Sequence, residues 1–205
     1  MKFHASIKNN QSKIVNYLII AFFYIFSVSC TGVLDKTIFI PDETYPELPA
    51  YSEWGYNSFG AYYERNVFIS TNDIIPCKIV YNNGVLNFLL SGKVSSEKMI
   101  LTFSFPLSEV KTIADLAVLH NKTLDLTENC TVKMEIKNAQ TALEVSSGSL
   151  HFKRFQLLNV DEKFDRIILS GTFDVKFLKN GLPETVSNGR FDLGITNDNF
   201  NSNAK

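Results

Sequence analysis

Few side chains in this 205-residue sequence have the types and spacing that chemistry requires. Cys77, His120, Cys130 and His151 make a set of two cysteines and two histidines. Zinc sites of that composition draw on ligand pairs a few residues apart, and these four are scattered, so no metal is expected. No Gly-x-Ser-x-Gly elbow and no His-Glu-x-x-His stretch occurs, so serine-hydrolase and zinc-protease chemistry lack their defining parts. His151 lies between Leu150 and Phe152, where strand alternation points it to solvent. Asp174 and Asp192 are the carboxylates that could serve glycoside hydrolysis, but alternation puts both on outward faces and they read as solvated surface acids. The run Asn197-Asp198-Asn199-Phe200-Asn201 lacks the glycine and terminal glutamate of a calcium loop and reads as a frayed polar end. No catalytic residue and no cofactor is assigned. The better lead is aromatic: Tyr45, Tyr51, Trp54, Tyr56, Tyr62 and Tyr63 crowd one region, where rings can stack on sugars or peptides. Trp54, Tyr56, Tyr62 and Tyr63 are the candidate ligand contacts, with packing of a linker onto the domain as the alternative.

Composition bounds the class. An apolar fraction of 45% with 20% charged residues suits a packed domain. A net charge of -1, without any Lys or Arg run, gives nucleic-acid binding no electrostatic footing.

The amino end reads as an export signal. Lys2, Lys8 and Lys13 open it without an acid, and residues 14–28 are almost wholly apolar. Fifteen helical residues reach roughly 22 Å, short of the ~30 Å of bilayer hydrocarbon, so cleavage is expected rather than a permanent span. The segment ends Ser27-Val28-Ser29-Cys30, small residues and then cysteine, which resembles the lipobox of bacterial lipoproteins, although Ser27 stands where that pattern more often has Leu. The resemblance implies a diacylglycerol on the Cys30 sulfur, cleavage before it and acylation of the new amino group. Acyl chains at ~0.8 kcal/mol per buried methylene would make the anchoring effectively permanent. Export also implies an oxidising compartment, where Cys77 and Cys130 form an even pair. Two readings stand for them: a disulfide closing a loop of about 52 residues and worth roughly 4 kcal/mol, or two buried thiols too far apart to bridge.

The elements that must position these residues are strands. Residues 30–54 carry Pro41, Pro46 and Pro49 and read as a stiffened tether lifting a domain clear of the headgroups. Residues 55–196 then show short runs of period two between turns. Leu86, Phe88 and Leu90 follow Asn82-Asn83-Gly84, then come Leu101, Phe103 and Phe105, and then Val132, Met134 and Ile136. Leu169, Gly171, Phe173, Val175 and Phe177 precede Lys179-Asn180-Gly181, and Phe191, Leu193 and Ile195 follow it. One stretch departs: Ser108 could cap a helix reaching Leu119, with Val110, Ile113, Leu116 and Ala117 on one stripe and Glu109 in the first turn. The expected fold is all-β, an antiparallel sandwich or partly closed barrel of about ten strands with one short amphipathic helix. Residues 197–205 are expected to form a polar tail.

Three segments, Gly55-Tyr56-Asn57-Ser58-Phe59-Gly60, Ser170-Gly171-Thr172-Phe173 and Gly189-Arg190-Phe191-Asp192, in that order behind a lipobox, resemble an uncharacterised family of lipoproteins from Bacteroidetes-type bacteria. The first hairpin departs from that family, turning through Glu64-Arg65-Asn66 with Phe68 in the strand. The resemblance implies an all-β domain on a lipid anchor at the outer membrane of a Gram-negative envelope, and implies no reaction. Gly60 and Gly171 would permit close backbone approach, and Phe59, Phe173 and Phe191 would fill the core. Three functions follow in order: a non-enzymatic binding or envelope-assembly module whose partners are the membrane and a glycan, peptide or envelope protein; a barrel holding a small apolar ligand; and a glycan-active enzyme.

Overall fold

A computed structural model describes residues 36–160 and 163–202. The expected signal peptide and Cys30 lie outside the described residues. Strand makes up 61% of the described residues and helix 4%, so the all-β reading holds, with a curled, half-barrel sheet as its form.

The strands are β1 (Ser58–Tyr63), β2 (Asn66–Ile69), β3 (Cys77–Asn82), β4 (Val85–Val94), β5 (Glu97–Pro106), β6 (Lys122–Asp125), β7 (Thr131–Ile136), β8 (Ala139–Ala142), β9 (Glu144–Val160), β10 (Lys163–Lys179), β11 (Leu182–Ile195) and β12 (Phe200–Ser202). Their order across the sheet is β6-β9-β10-β11-β1-β2-β4-β5-β7-β8, with β3 branching from β4 and carrying β12 on its other side. Turns form where the sequence asks for them. Asn83-Gly84 and Asn180-Gly181 take the positive φ of tight hairpins, and Glu64-Arg65 joins β1 to β2 with Tyr63 opposite Asn66.

Period-two burial then does the rest. In β4 every second residue from Leu86 to Val94 is buried. Phe88 on β4 meets Phe152 on β9 and Phe191 on β11, with ring centroids 5.4 and 5.2 Å apart, and Phe103 on β5 meets Phe173 on β10 at 5.5 Å. These strands are far apart in the sheet order, so the contacts run across its concave interior. Such ring pairs contribute about 0.5–1.5 kcal/mol each beyond the area they bury. The rings interlock across this part of the interior. Gly171 lets this core close, because a Cβ there would overlap the His151 carbonyl oxygen and press on the Phe191 ring.

Two expectations change. The helix is a 3₁₀ segment, Ile113–Leu119, with Thr112 before it, in place of an α-helix capped by Ser108. Val110, Ile113, Leu116 and Leu119 are buried and Ala117 is exposed, because at three residues per turn a buried stripe recurs every third position. The Asp115 carboxylate, not Glu109, gathers the free amides of Lys111 and Thr112. The polar tail is in part a strand: β12 pairs in parallel with β3, Phe200 is buried, and the Asn199 side-chain Nδ2 donates to the Cys77 carbonyl.

Of the two readings of the cysteine pair, the structure has the unbridged one: Cys77 and Cys130 are free thiols. Cys77 is level with Leu90, Leu101 and Met134 on the next three strands, and Cys130 stands four residues before Met134. Three strand spacings of about 4.8 Å, with about 13 Å along the strand, exceed the ~7 Å Cα separation that a bridge tolerates. Burial raises the Cys77 thiol pKa, and burial, then Asp125, raises that of half-buried Cys130. Thiol titration of the native protein should therefore label Cys130 first and leave Cys77 protected until unfolding. Unfolding without reductant should make both reactive, and a pair that stays unreactive would refute the assignment.

Candidate functional site

The tether reading and the surface-acid reading of Asp192 fail together, for one reason. Residues 36–56 are laid on the outer face of β1, β11 and β10 as a strap, so the outward side of those strands is covered. Ser58, Asp192 and Ser170 stand level on the three strands and all are buried, Asp192 being only 1% exposed. A carboxylate so placed needs donors. Asp192 accepts from the Ser52 hydroxyl and from the Trp54 and Tyr56 amides through one oxygen, at 3.1 and 3.2 Å for the amides, and from the Gly55 amide through the other at 2.7 Å. The Asn57 side-chain carbonyl accepts from the Gly194 amide at 2.9 Å. The segments flanking the domain thus bind each other.

The far end of the strap is fastened by a second group. Its two runs pair through a bridge between Pro41 and Pro49 and a bond from the Ala50 amide to the Ile40 carbonyl. Leu48 is fully buried, and Pro49 sits over Gly60, where any Cβ would collide with the proline ring. Arg190, four-fifths or more buried, donates to Asp42 at 2.7 Å and lies over the Tyr45 ring, whose edge meets Tyr62. The Tyr45 amide first, then the Thr44 amide and Arg190, hold the Asp42 carboxyl below its ordinary value against the opposing effect of burial. Burial, then Glu53, pushes Tyr51 up to about 12 while Lys153 sits over its ring.

The four candidate aromatic contacts do not form one platform. Tyr62 and Tyr63 are neighbours on β1 and point to opposite faces. Tyr62 donates to Glu47 in the strap, whereas Tyr63 packs at the edge of the core, donating to Glu184 at 2.5 Å and accepting from Lys179 at 2.7 Å. Tyr56 is half-buried in the strap and Trp54 is 73% exposed. Linker packing therefore accounts for Tyr56 and Tyr62, core packing accounts for Tyr63, and Trp54 is left presented to the surroundings.

No protein-family model, no curated protein and no solved structure matches this chain.

The remaining chemistry-bearing residues stay apart. Asp174 is exposed and accepts from the Asn188 amide, while Asp192 is sealed under the strap, so the two share no cleft. The His120 ring accepts from the Phe155 amide at 3.1 Å, and His151 is half-buried opposite Thr172 on β10. Among the described residues no group of three His, Cys, Asp or Glu could hold a metal, and no helix is long and apolar enough to cross a membrane. An open groove of about 440 Å³ lies along β3, β4 and β5, lined by Ile74, Ile75, Leu89 and Ile100 with Asp73, Lys78, Lys98 and Asp198.

Replacing Asp192 by Asn tests the clamp. The side chain keeps its shape, but its NH₂ group then faces at least one of the converging donors, and the loss should be about 2–4 kcal/mol. In hydrogen exchange the Trp54, Gly55 and Tyr56 amides should open well ahead of those in β9 and β10. Wild-type protection at those three amides in Asp192→Asn would sink the assignment.

Proposed function

We propose that this chain is a lipid-anchored protein of the bacterial cell envelope, held at the outer membrane through Cys30, whose β domain binds another envelope component without transforming it. The observation that carries the reading is Cys30 itself, placed directly after Ser27-Val28-Ser29 at the close of an apolar run that follows three lysines. The strap supports it in physical terms. An anchor fixes a domain in place only if the connecting chain is fixed to that domain, and here the connection is clamped by buried Asp192 within the residues that follow.

The surface that supports binding is the edge strand β8. It ends the sheet order, and its four residues, Ala139 to Ala142, are all exposed and carry no charge. An uncharged open edge offers backbone donors and acceptors to an extended protein segment, which favours a peptide or envelope protein over a glycan as the partner.

Two measurements test the two halves. Intact mass of the mature protein from its host should exceed that of the polypeptide beginning at Cys30 by a diacylglycerol and an acyl group, and Cys30→Ser should move the protein out of the membrane fraction; an unmodified sulfur or an uncut leader overturns the anchor. A photo-crosslinker at Gln140 should capture a defined envelope protein, with capture lost on Ala142→Pro, which removes a backbone donor from the open side of β8 and bends the edge. Capture unchanged by that substitution would remove β8 as the binding edge.

A further inference from the structure

The strap carries an apolar group that packing does not explain. Ile38, Phe39 and Ile40 are 43%, 43% and 46% exposed, and Trp54 is 73% exposed. They are neighbours by hydrogen bonding, since the Ile38 amide donates to the Tyr56 carbonyl at 2.9 Å and the Ala50 amide to the Ile40 carbonyl at 2.7 Å, so the run 38–40 lies alongside 50–56. Other large exposed apolar side chains, such as Val118 and Leu182, stand singly, which is ordinary for a protein surface. Four together on one short segment are not.

We infer that Ile38, Phe39, Ile40 and Trp54 seat the strap in the headgroup region of the bilayer to which Cys30 is anchored. The inference rests on the lipid-anchor reading and adds the orientation of the domain. Chain length supplies the first argument. Lys36, where the described chain begins, is six residues beyond Cys30, and a fully extended chain of that length spans about 20 Å. A lipidated Cys30 therefore cannot hold the strap far from the membrane. Side-chain chemistry supplies the second, because tryptophan and large aliphatic residues are the types that partition into the interface, to a depth of ~5–10 Å. Charge supplies the third. Asp42 is paired with Arg190 and Glu53 lies 3.9 Å from Arg154, so two acids of the strap have cationic partners on the sheet and repel anionic headgroups less.

Trp54 is the sole tryptophan in the sequence and reports on its own surroundings. The experiment uses the acylated mature protein in vesicles of phosphatidylethanolamine and phosphatidylglycerol, with and without bromine on the acyl chains. Trp54 emission should shift to the blue, and bromolipid should remove about half of it or more if the ring lies within ~10 Å of the hydrocarbon boundary. The double variant Ile38→Asn/Ile40→Asn, acylated to the same mass and with unchanged circular dichroism, should lose most of that quenching. Unquenched emission from acylated wild type overturns the inference and leaves the anchor standing. Quenching that persists in the double variant removes Ile38 and Ile40 from the contact and overturns the inference as stated. A mass spectrum without acylation fells the anchor reading and this inference with it.

Discussion

A carboxylate taken out of water costs several kcal/mol unless donors replace the water it has lost. Asp192 finds its replacements in the backbone amides of Trp54, Gly55 and Tyr56 and in the Ser52 hydroxyl, all from a segment remote from it in sequence. That exchange decides where the early part of the chain lies. Because the amides of residues 54–56 are used up by one side chain, the strap cannot pair as another strand, and it crosses the outside of the sheet instead. Ser58 and Ser170 are then buried on a face that alternation alone assigns to solvent.

The sheet consequently has two covered faces of different character. Inside, phenylalanines from β4 and β5 meet those of β9, β10 and β11 in a packing that tolerates little change of volume. Outside, the strap is held by few and directional contacts: Asp192, Arg190 with Asp42, and Pro49 over Gly60. Around these two faces lie the strap's outer surface, the open groove along β3 to β5 and the free edge at β8.

Much of the fold was legible because its causes are local. Alternation marked the inner faces of β4, β5, β7, β10 and β11, and Asn-Gly pairs marked two hairpins. Gly171 and the phenylalanines of the resemblance have the roles read for them, with Phe59, Phe173 and Phe191 in the core, whereas Gly60 makes room for the Pro49 ring and not for a neighbouring backbone. What was missed depends on partners remote in sequence. Asp192 looked like a surface acid because nothing near it predicts a covering strap, and residues 36–54 looked like a tether because prolines without a period say nothing of what they rest on. Counting cysteines could not choose between a Cys77–Cys130 bridge and free thiols, because it ignores the strands between them. The 3₁₀ segment was read with the wrong period, since apolar residues at 110, 113 and 116 fit both 3.0 and 3.6 residues per turn. A hint of the clamp was present in the sequence, in Gly55 to Asn57 at one end of the domain and Asp192 at the other.

The clamp also fixes an order of events. Ser52 and Asp192 are 140 residues apart, and β1 pairs with β11 nearly as far along the chain. A polypeptide that emerges amino end first cannot fasten its strap or complete its first hairpin's outer neighbour until the closing strand has appeared. Closing so long a loop is slow compared with local hairpin formation. Local hairpins can therefore form early, but the strap docks last, once β11 has brought Asp192 to it.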